Sequence, residues 1–137
     1  MKRAHHHAQY ELKYHLVLVT KYRHKVFTKE ILERLRDIST ELLEKWDCEL
    51  LEFGGEADHI HLLINAHPSL ELSRLINNLK TVTSRAIRKE FEAHLKPFYW
   101  KPYFWSNSYC IVSTGGAPLE IVKTTYKIKI NHHRNIT

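Results

Sequence analysis

Cysteine, glycine and long apolar runs are scarce in this chain. Of its 137 residues, 2 are cysteines and 4 are glycines. Cys48 and Cys110 lack the spacing of a zinc site or of a disulfide framework, so we interpret both as small buried side chains. No apolar run approaches the ~20 residues that a membrane-spanning helix needs, and the first residues lack the apolar core of a signal peptide. We therefore expect a cytoplasmic protein with no membrane segment.

The residues that are present suffice for one compact domain. The length of 137 residues favours a single domain over residues 1–137, and the hydrophobic fraction of 43% excludes a disordered protein. No linker, repeat or low-complexity segment divides this domain, and we expect residues 1–9 and 131–137 to be flexible. The net charge of +6 at pH 7 favours a polyanionic partner such as DNA.

Hydrophobic periodicity, caps and turn residues predict seven elements of secondary structure. Thr28 is the residue type of a helix N-cap, and Pro118 stands where the first residue of a helix is expected. The predicted elements are a strand over Tyr10–Thr20, a helix from Thr28 to about Trp46, strands over Glu49–Gly54 and His59–Ala66, a helix from Leu70 to about Phe91, a strand over Tyr109–Ser113 and a helix from Pro118 to about Ile130.

The predicted order of elements is β-α-β-β-α-β-α, and its first six elements match the split βαβ, or ferredoxin-like, plan. An α+β fold of this plan has an antiparallel four-stranded sheet with two helices on one face. The other face stays available for a ligand or a partner. The last element, a C-terminal helix, carries Tyr126 as a candidate nucleophile. The alternative is that Tyr126 belongs to an apolar stripe with Leu119, Val122 and Ile130.

Two histidines flank one isoleucine in the third predicted strand. Because side chains alternate between the faces of a strand, His59 and His61 should point the same way. Two neutral imidazoles side by side provide half of a divalent metal site, although both could instead be half-buried and bonded to the backbone. Asp58 either orients a histidine or simply caps the entry to the strand. A metal-dependent hydrolase of small substrates would need a third good ligand, and the sequence offers no clear one.

Basic residues cluster on the second long helix and in the turn after the first strand. On the helix they alternate with amide and hydroxyl side chains, a mixture that suits contacts with phosphates. The alternative is an ordinary solvated surface. The residues that we predict to bind DNA are Lys21, Arg23, Lys25, Arg74, Lys80, Arg85 and Arg88.

An aromatic segment lies between the second long helix and the fourth strand. Residues 98–105 read Phe-Tyr-Trp-Lys-Pro-Tyr-Phe-Trp, which places six aromatic rings beside a lysine. Aromatic rings next to cations can stack on unpaired bases. Most of these rings could equally form a small apolar core or a dimer contact.

Five blocks of the sequence together resemble a known family. The resemblance runs from Tyr10 to Tyr126, and the occurrence of five blocks in order is more specific than any single block. It points to the small single-tyrosine HUH transposases of bacterial and archaeal insertion sequences. The blocks are Tyr14–Arg23, Glu56–Leu63, Leu75–Lys80, Phe104–Tyr109 and Gly115–Glu120.

The resemblance implies a DNA transposase that binds hairpins near the ends of a mobile element and cuts and rejoins single-stranded DNA. Tyr126 would become joined to the 5′ phosphate, so no nucleotide cofactor would be needed. His59 and His61 would hold Mg²⁺ or Mn²⁺, and imidazole ligands suit Mn²⁺ better. Family members are homodimers in which the tyrosine helix of one subunit can complete the site of the other.

The C-terminal helix departs from the family pattern. In relatives four residues separate Gly-Gly-Ala-Pro-Leu-x from the tyrosine, and Thr125 occupies the place of the tyrosine here. A glutamine four residues after the tyrosine usually serves as the third metal ligand, and Asn131 is the nearest amide in this chain. One extra residue turns a helical side chain by about 100°. Either Tyr126 acts from a slightly reset helix, or the chain is a catalytically impaired or inactive relative that binds structured single-stranded nucleic acid.

Overall fold

The computed structural model describes residues 12–114. The predicted final helix with Tyr126 lies outside these residues, as do Asn131 and the two ends for which we expected flexibility. The described elements are β1 (Leu12–Thr20), a 3-10 turn (Lys21–Arg23), α1 (Lys29–Lys45), β2 (Glu49–Glu56), β3 (His59–Ala66), α2 (Leu72–Glu90), the short α3 (Glu92–Leu95) and β4 (Trp105–Ser113).

The four strands form one antiparallel sheet in the order β2-β3-β1-β4. This order confirms the predicted ferredoxin-like α+β fold, in which each βαβ unit is split by a strand of the other. β3 is an inner strand, so both of its edges are hydrogen-bonded. At its start, His59 pairs with Glu56 of β2 and with Val19 of β1, and His61 pairs with Gly54 and Val17. The histidine pair is therefore held on a backbone that its neighbours fix on both sides.

The two long helices cover one face of the sheet. α1 begins after Thr28, whose Oγ1 accepts a hydrogen bond from the N–H of Ile31 at 3.2 Å, as the sequence predicts. The apolar stripes of both helices meet alternate residues of the inner strands, and each fully buried leucine or isoleucine contributes roughly 1.5–3 kcal/mol to folding. The core includes Leu16, Leu18, Ile31, Leu35, Ile60, Leu62, Ile64, Leu75, Ile76, Leu79 and Ile87.

The opposite face carries the two histidines, and we call it the histidine face. Val17, Val19 and Cys110 also lie on it, where they are buried and form a second, smaller apolar cluster. The histidine pair therefore borders apolar side chains and is not set in a wholly open surface. Within residues 12–114, no helix combines the length and the apolarity that crossing a membrane would require.

Two strand boundaries differ from the sequence-based prediction. β2 continues through Gly54 to Glu56, and β4 begins at Trp105 and not at Tyr109. Glycine is a weak strand former, so a prediction from local residue types ends β2 too early. Pairing with β3 and β1 supplies the backbone hydrogen bonds that extend both strands. The short α3 was not predicted.

Candidate functional site

His59 and His61 point to the same face of β3, as the alternation predicts. Their ring centroids are 6.4 Å apart and their planes are inclined by 33°. Ile60 and Leu62, the alternate residues, are fully buried on the helix-covered face. The pair therefore presents two imidazoles from neighbouring positions of one rigid strand.

The imidazole of His61 lies directly over the backbone of Gly54. A Cβ atom on Gly54 would come within 2.6 Å of Cε1 and Nε2 of His61, closer than real Cβ contacts allow. Gly54 thus makes room for the ring, a role that was not predicted because a glycine at this place also marks the end of a strand. The available signal was a glycine inside a strand pattern, which often marks a close approach.

Burial lowers the pKa of His61, and the nearby His59 and His15 lower it further, against an opposing effect of Glu52 and Glu56. The neutral imidazole is favoured, and a neutral ring has a lone pair for a cation. His15 was not predicted as part of the site. It lies on β1 diagonally across from His61, a relationship that depends on strand register and cannot be read from the sequence.

Asp58 sits between a histidine and an arginine. Its Oδ1 lies 2.9 Å from Nδ1 of His59, and its Oδ2 accepts hydrogen bonds from Nε and Nη2 of Arg23 at 3.2 and 3.0 Å. Burial pushes the pKa of Asp58 upward, but the hydrogen bonds from His59 and Arg23 outweigh burial, so that the pKa is lowered. The side chain is therefore a carboxylate at neutral pH. Its contact with His59 fits the interpretation in which Asp58 orients a histidine.

A third metal ligand is not found near the two histidines in the described part of the chain. Within residues 12–114, no group of three or more His, Cys, Asp or Glu side chains is arranged to hold a metal ion. The predicted third ligand, Asn131, and the predicted nucleophile, Tyr126, lie outside these residues. Of the predicted site, the structure thus brings together His59, His61 and Asp58.

Four of the seven predicted DNA-binding residues line one cavity of about 500 Å³. It lies between α2 and the start of β4. Lys80 is half-buried there, and its Nζ donates to the carbonyl oxygens of Ser106 and Asn107 at 2.9 and 3.4 Å. Burial, aided by the charge of Lys21, lowers the pKa of Lys80. The four residues are Lys21, Lys80, Arg85 and Arg88.

The other three predicted DNA-binding residues lie elsewhere. Lys25 is exposed and, with Arg23, borders a cavity of about 460 Å³ that His59 also lines. Arg23 is only 14% exposed, because its guanidinium is turned inward onto Asp58. Arg74 is exposed and pairs with Glu71 one helical turn away.

The aromatic segment divides into a buried and an exposed part. Phe104 and Trp105 belong to the core, and Nε1 of Trp105 donates to Oγ1 of Thr83 at 2.9 Å. Trp100 is 83% exposed, with Nζ of Lys101 4.8 Å from its ring centroid. The interpretation as an apolar core therefore fits Phe104 and Trp105, and the interpretation as a surface for base stacking fits Trp100.

Sequence comparison places the chain among transposases. A family model described as "Transposase IS200 like" matches residues 8–126. The chain is 32% identical to the ISDra2 transposase TnpA of Deinococcus radiodurans over 104 residues, which are 76% of this chain and 74% of the relative. It is 31% identical over 109 residues to the IS200 transposase of Salmonella typhimurium, covering 80% of this chain and 71% of the relative.

Solved structures agree with this result. A crystal structure of a transposase candidate from Deinococcus radiodurans R1 superposes with a TM-score of 0.77 at 30% identity and covers 90% of this chain and 91% of that one. A REP-associated tyrosine transposase bound to a REP hairpin superposes with a TM-score of 0.58 at 9% identity, over 85% of this chain and 63% of that one. The second likeness shows the fold alone.

Proposed function

The chain belongs to the family of IS200-like transposases, and on that premise we propose that it cleaves and rejoins single-stranded DNA at the hairpin-marked ends of an insertion sequence. The reaction would pass through a 5′-phosphotyrosine intermediate and be assisted by a divalent metal ion. The observation that carries this proposal is the pair His59 and His61, side by side on β3 with Asp58 against the first ring, in a chain of this family.

The side chains at the pair fit a divalent cation. Donation from Nδ1–H of His59 to Asp58 would leave the lone pair on Nε2, and the lowered pKa of His61 favours its neutral form. Mg²⁺ or Mn²⁺ held there would polarise the oxygens of the scissile phosphate and stabilise the charge that develops on them. Asn131 is the candidate third ligand, and we include it only from its place in the sequence.

The proposed nucleophile is Tyr126. Its phenol loses a proton, and the oxygen forms a bond to the scissile phosphorus while the bond from phosphorus to the 3′ oxygen breaks. The departing 3′ oxygen takes up a proton and becomes a free hydroxyl. Because the phosphodiester energy is kept in the phosphotyrosine, a 3′ hydroxyl can later reverse the step on another strand without a nucleotide cofactor.

DNA would be held mainly by the cavity between α2 and β4. Its four cations provide a compact positive surface for successive phosphates of one strand. The hairpin substrate is part of this proposal, and the tyrosine transposase that shares the fold at 9% identity is bound to a REP hairpin. We also propose Lys25 and Arg74 as outlying phosphate contacts, since both are exposed.

We further propose a homodimer in which the helix with Tyr126 completes the site of the partner subunit. A mixture of His59→Ala and Tyr126→Phe chains tests this exchange, because mixed dimers would rebuild one complete site. If the mixture stays inactive while each variant still dimerises with wild-type chains, the tyrosine acts within its own subunit.

A cytoplasmic location stays a prediction.

Formation of a covalent protein–DNA adduct tests the proposed reaction. The protein is incubated with an end-labelled single-stranded hairpin substrate and Mn²⁺ or Mg²⁺, and labelled protein is detected on a denaturing gel. Wild-type protein should form the adduct, and Tyr126→Phe should not, while still binding the hairpin. Tyr14→Phe is the matched control, since Tyr14 packs against the core at the far end of β1 and should not affect the adduct.

A second candidate function rests on the altered C-terminal helix. The resemblance places Thr125 where family members have the tyrosine, and no glutamine follows Tyr126 by four residues in this sequence. A chain of this kind would bind structured single-stranded nucleic acid without cutting it. Tight, salt-sensitive hairpin binding with no adduct in either metal would favour this candidate over the enzyme.

A further inference from the structure

Arg23, Asp58 and His59 form a continuous hydrogen-bonded chain that is largely shielded from water. Their side chains are 14%, 17% and 15% exposed, respectively. Arg23 places two guanidinium nitrogens on Oδ2 of Asp58, and Oδ1 of the same carboxylate faces Nδ1 of His59. A charge-assisted pair of this kind is short, directional and poorly screened by solvent. Arg23 therefore fixes the orientation of the Asp58 carboxylate through one oxygen, and the other oxygen faces the His59 imidazole.

The backbone that carries Arg23 has an uncommon conformation. Tyr22 and Arg23 have φ values of 61° and 57°, the left-handed region that side chains other than glycine rarely enter. Such a backbone conformation is unfavourable for these residues, and it persists only where the surroundings fix it. Two in succession turn the Arg23 side chain back toward the start of β3.

Backbone hydrogen bonds tie this turn to the β2–β3 hairpin on both sides. The N–H of Thr20 donates to the carbonyl of Asp58 at 3.0 Å, and the N–H of Phe27 donates to the carbonyl of Ala57 at 2.9 Å. The hydroxyl of Tyr99 donates to the carbonyl of Lys21 at 2.8 Å. The turn and the hairpin are thus hydrogen-bonded to each other on both sides of Arg23.

We infer that Arg23 is a positioning residue that acts through Asp58 to hold the His59 imidazole in one orientation and one tautomer, with Nδ1 protonated and Nε2 facing the proposed metal. This assignment replaces its predicted role as a DNA-phosphate contact. It rests on the proposed function only in taking His59 as a metal ligand. Arginine suits the task better than lysine because its planar fork can place two donors on one carboxylate.

A direct phosphate contact is disfavoured by the position of the guanidinium. Two of its nitrogens are already used by Asp58. The third, Nη1, has no hydrogen-bond partner among residues 12–114, but it is buried. A phosphate oxygen would reach it only if the guanidinium left the carboxylate. Lys25, two residues later and exposed, meets no such obstacle.

The tautomer of His59 is the first test, and it needs neither metal nor DNA. Long-range ¹H–¹⁵N spectra of metal-free protein at about pH 8.5, where histidine is ordinarily neutral, distinguish the two tautomers. Wild-type His59 should be in the Nδ1–H form. Arg23→Met should shift it toward a mixture, and Arg23→Lys should fall between the two. Arg34→Met is the matched control, because it removes an arginine pair with Glu90 of similar length on the exposed surface.

Metal and DNA binding by the same variants complete the test. Mn²⁺ titration in the absence of DNA should show a dissociation constant about tenfold higher for Arg23→Met than for wild type, and no change for Arg34→Met. Hairpin binding in EDTA should keep its affinity and its salt dependence. Loss of a true phosphate contact would instead reduce the slope of log K against log salt by about one.

The outcomes separate this inference from the proposed function. An unchanged tautomer and Mn²⁺ affinity in both Arg23 variants, with a reduced salt slope, would show that Arg23 is a phosphate contact after all. An Nε2–H tautomer in wild type would also overturn the inference. If Arg23→Met does not fold, Arg23→Lys decides by the same readouts. A protein that forms no DNA adduct but shows the expected tautomer shift would contradict the proposed enzyme and support the positioning role.

Discussion

The imidazole of His61 rests on Gly54 of the neighbouring strand, with no room for a Cβ between ring and backbone. The contact links the composition of one strand to the orientation of a candidate ligand on the next. Asp58 contacts the ring of His59, so each of the two imidazoles is oriented by a different neighbouring residue.

Gly54→Ala should displace the His61 ring. The backbone at Gly54 does not have a positive φ, so alanine is disfavoured only by its contact with the ring. We expect a loss of about 1–3 kcal/mol of stability and a weaker Mn²⁺ affinity. Urea denaturation and Mn²⁺ titration measure the two effects.

A double-mutant cycle gives the control for Gly54. In a His61→Ala background the ring is absent, so Gly54→Ala should cost much less stability than it does in wild type. An equal loss of stability in both backgrounds would mean that contact with the His61 ring is not the reason for glycine at position 54.

Lys80→Met should destabilise the fold, in addition to any effect on DNA. Its Nζ donates to two carbonyls at the start of β4, and loss of that donor should cost about 1–3 kcal/mol in urea denaturation. Arg85→Met, an exposed change in the same cavity, should leave stability within about 0.5 kcal/mol of wild type but weaken hairpin binding. Equal stability of the two variants would argue against a structural role for Lys80.

Trp100 and Trp105 should respond in opposite ways to truncation. Trp100→Ala removes an exposed ring beside Lys101, so we expect unchanged stability and, if the ring stacks on a base, about 1–3 kcal/mol weaker binding of single-stranded DNA. Trp105→Ala opens a cavity in the core and should cost about 3–5 kcal/mol of stability. Fluorescence-monitored denaturation and fluorescence-anisotropy DNA binding measure both.

Because of Tyr99, the stability of the fold should depend on pH in the alkaline range. Burial raises the pKa of Tyr99 from 10.0 to about 12, against an opposing effect of Thr20 and with a smaller contribution from Tyr22. The folded protein therefore holds this proton more tightly than the unfolded chain, and the associated stability is present below pH 10 and is lost as pH rises from about 10 to about 12.

Tyr99→Phe removes both the titration and the hydrogen bond to Lys21. At about pH 8 the variant should be less stable by about 0.5–1.5 kcal/mol, and its stability should fall less than that of wild type between about pH 8 and pH 11. Parallel pH profiles for the two proteins would show that Tyr99 titrates alike in the folded and unfolded states.

Local sequence patterns sufficed for most of the fold. Alternation predicted the bounds of β3 and the common face of its histidines, and residue type predicted Thr28 as an N-cap. Where pairing with another strand decides the outcome, local patterns failed, as at Gly54 and at the start of β4. The contact of Arg23 with Asp58 could not be predicted for the same reason, since the two residues lie 35 positions apart and only the folded chain brings them together.

The proposed mechanism requires Tyr126 to form a covalent bond to the 5′ phosphate of a cleaved hairpin strand. Peptide mass spectrometry of the protein after reaction with substrate and Mn²⁺ tests it most directly. We expect a nucleotide-bearing peptide whose modified residue is Tyr126, and none when His59 and His61 are both replaced by alanine. An adduct on another residue would contradict the assignment of the nucleophile, and cleaved DNA with no adduct would contradict the phosphotyrosine mechanism.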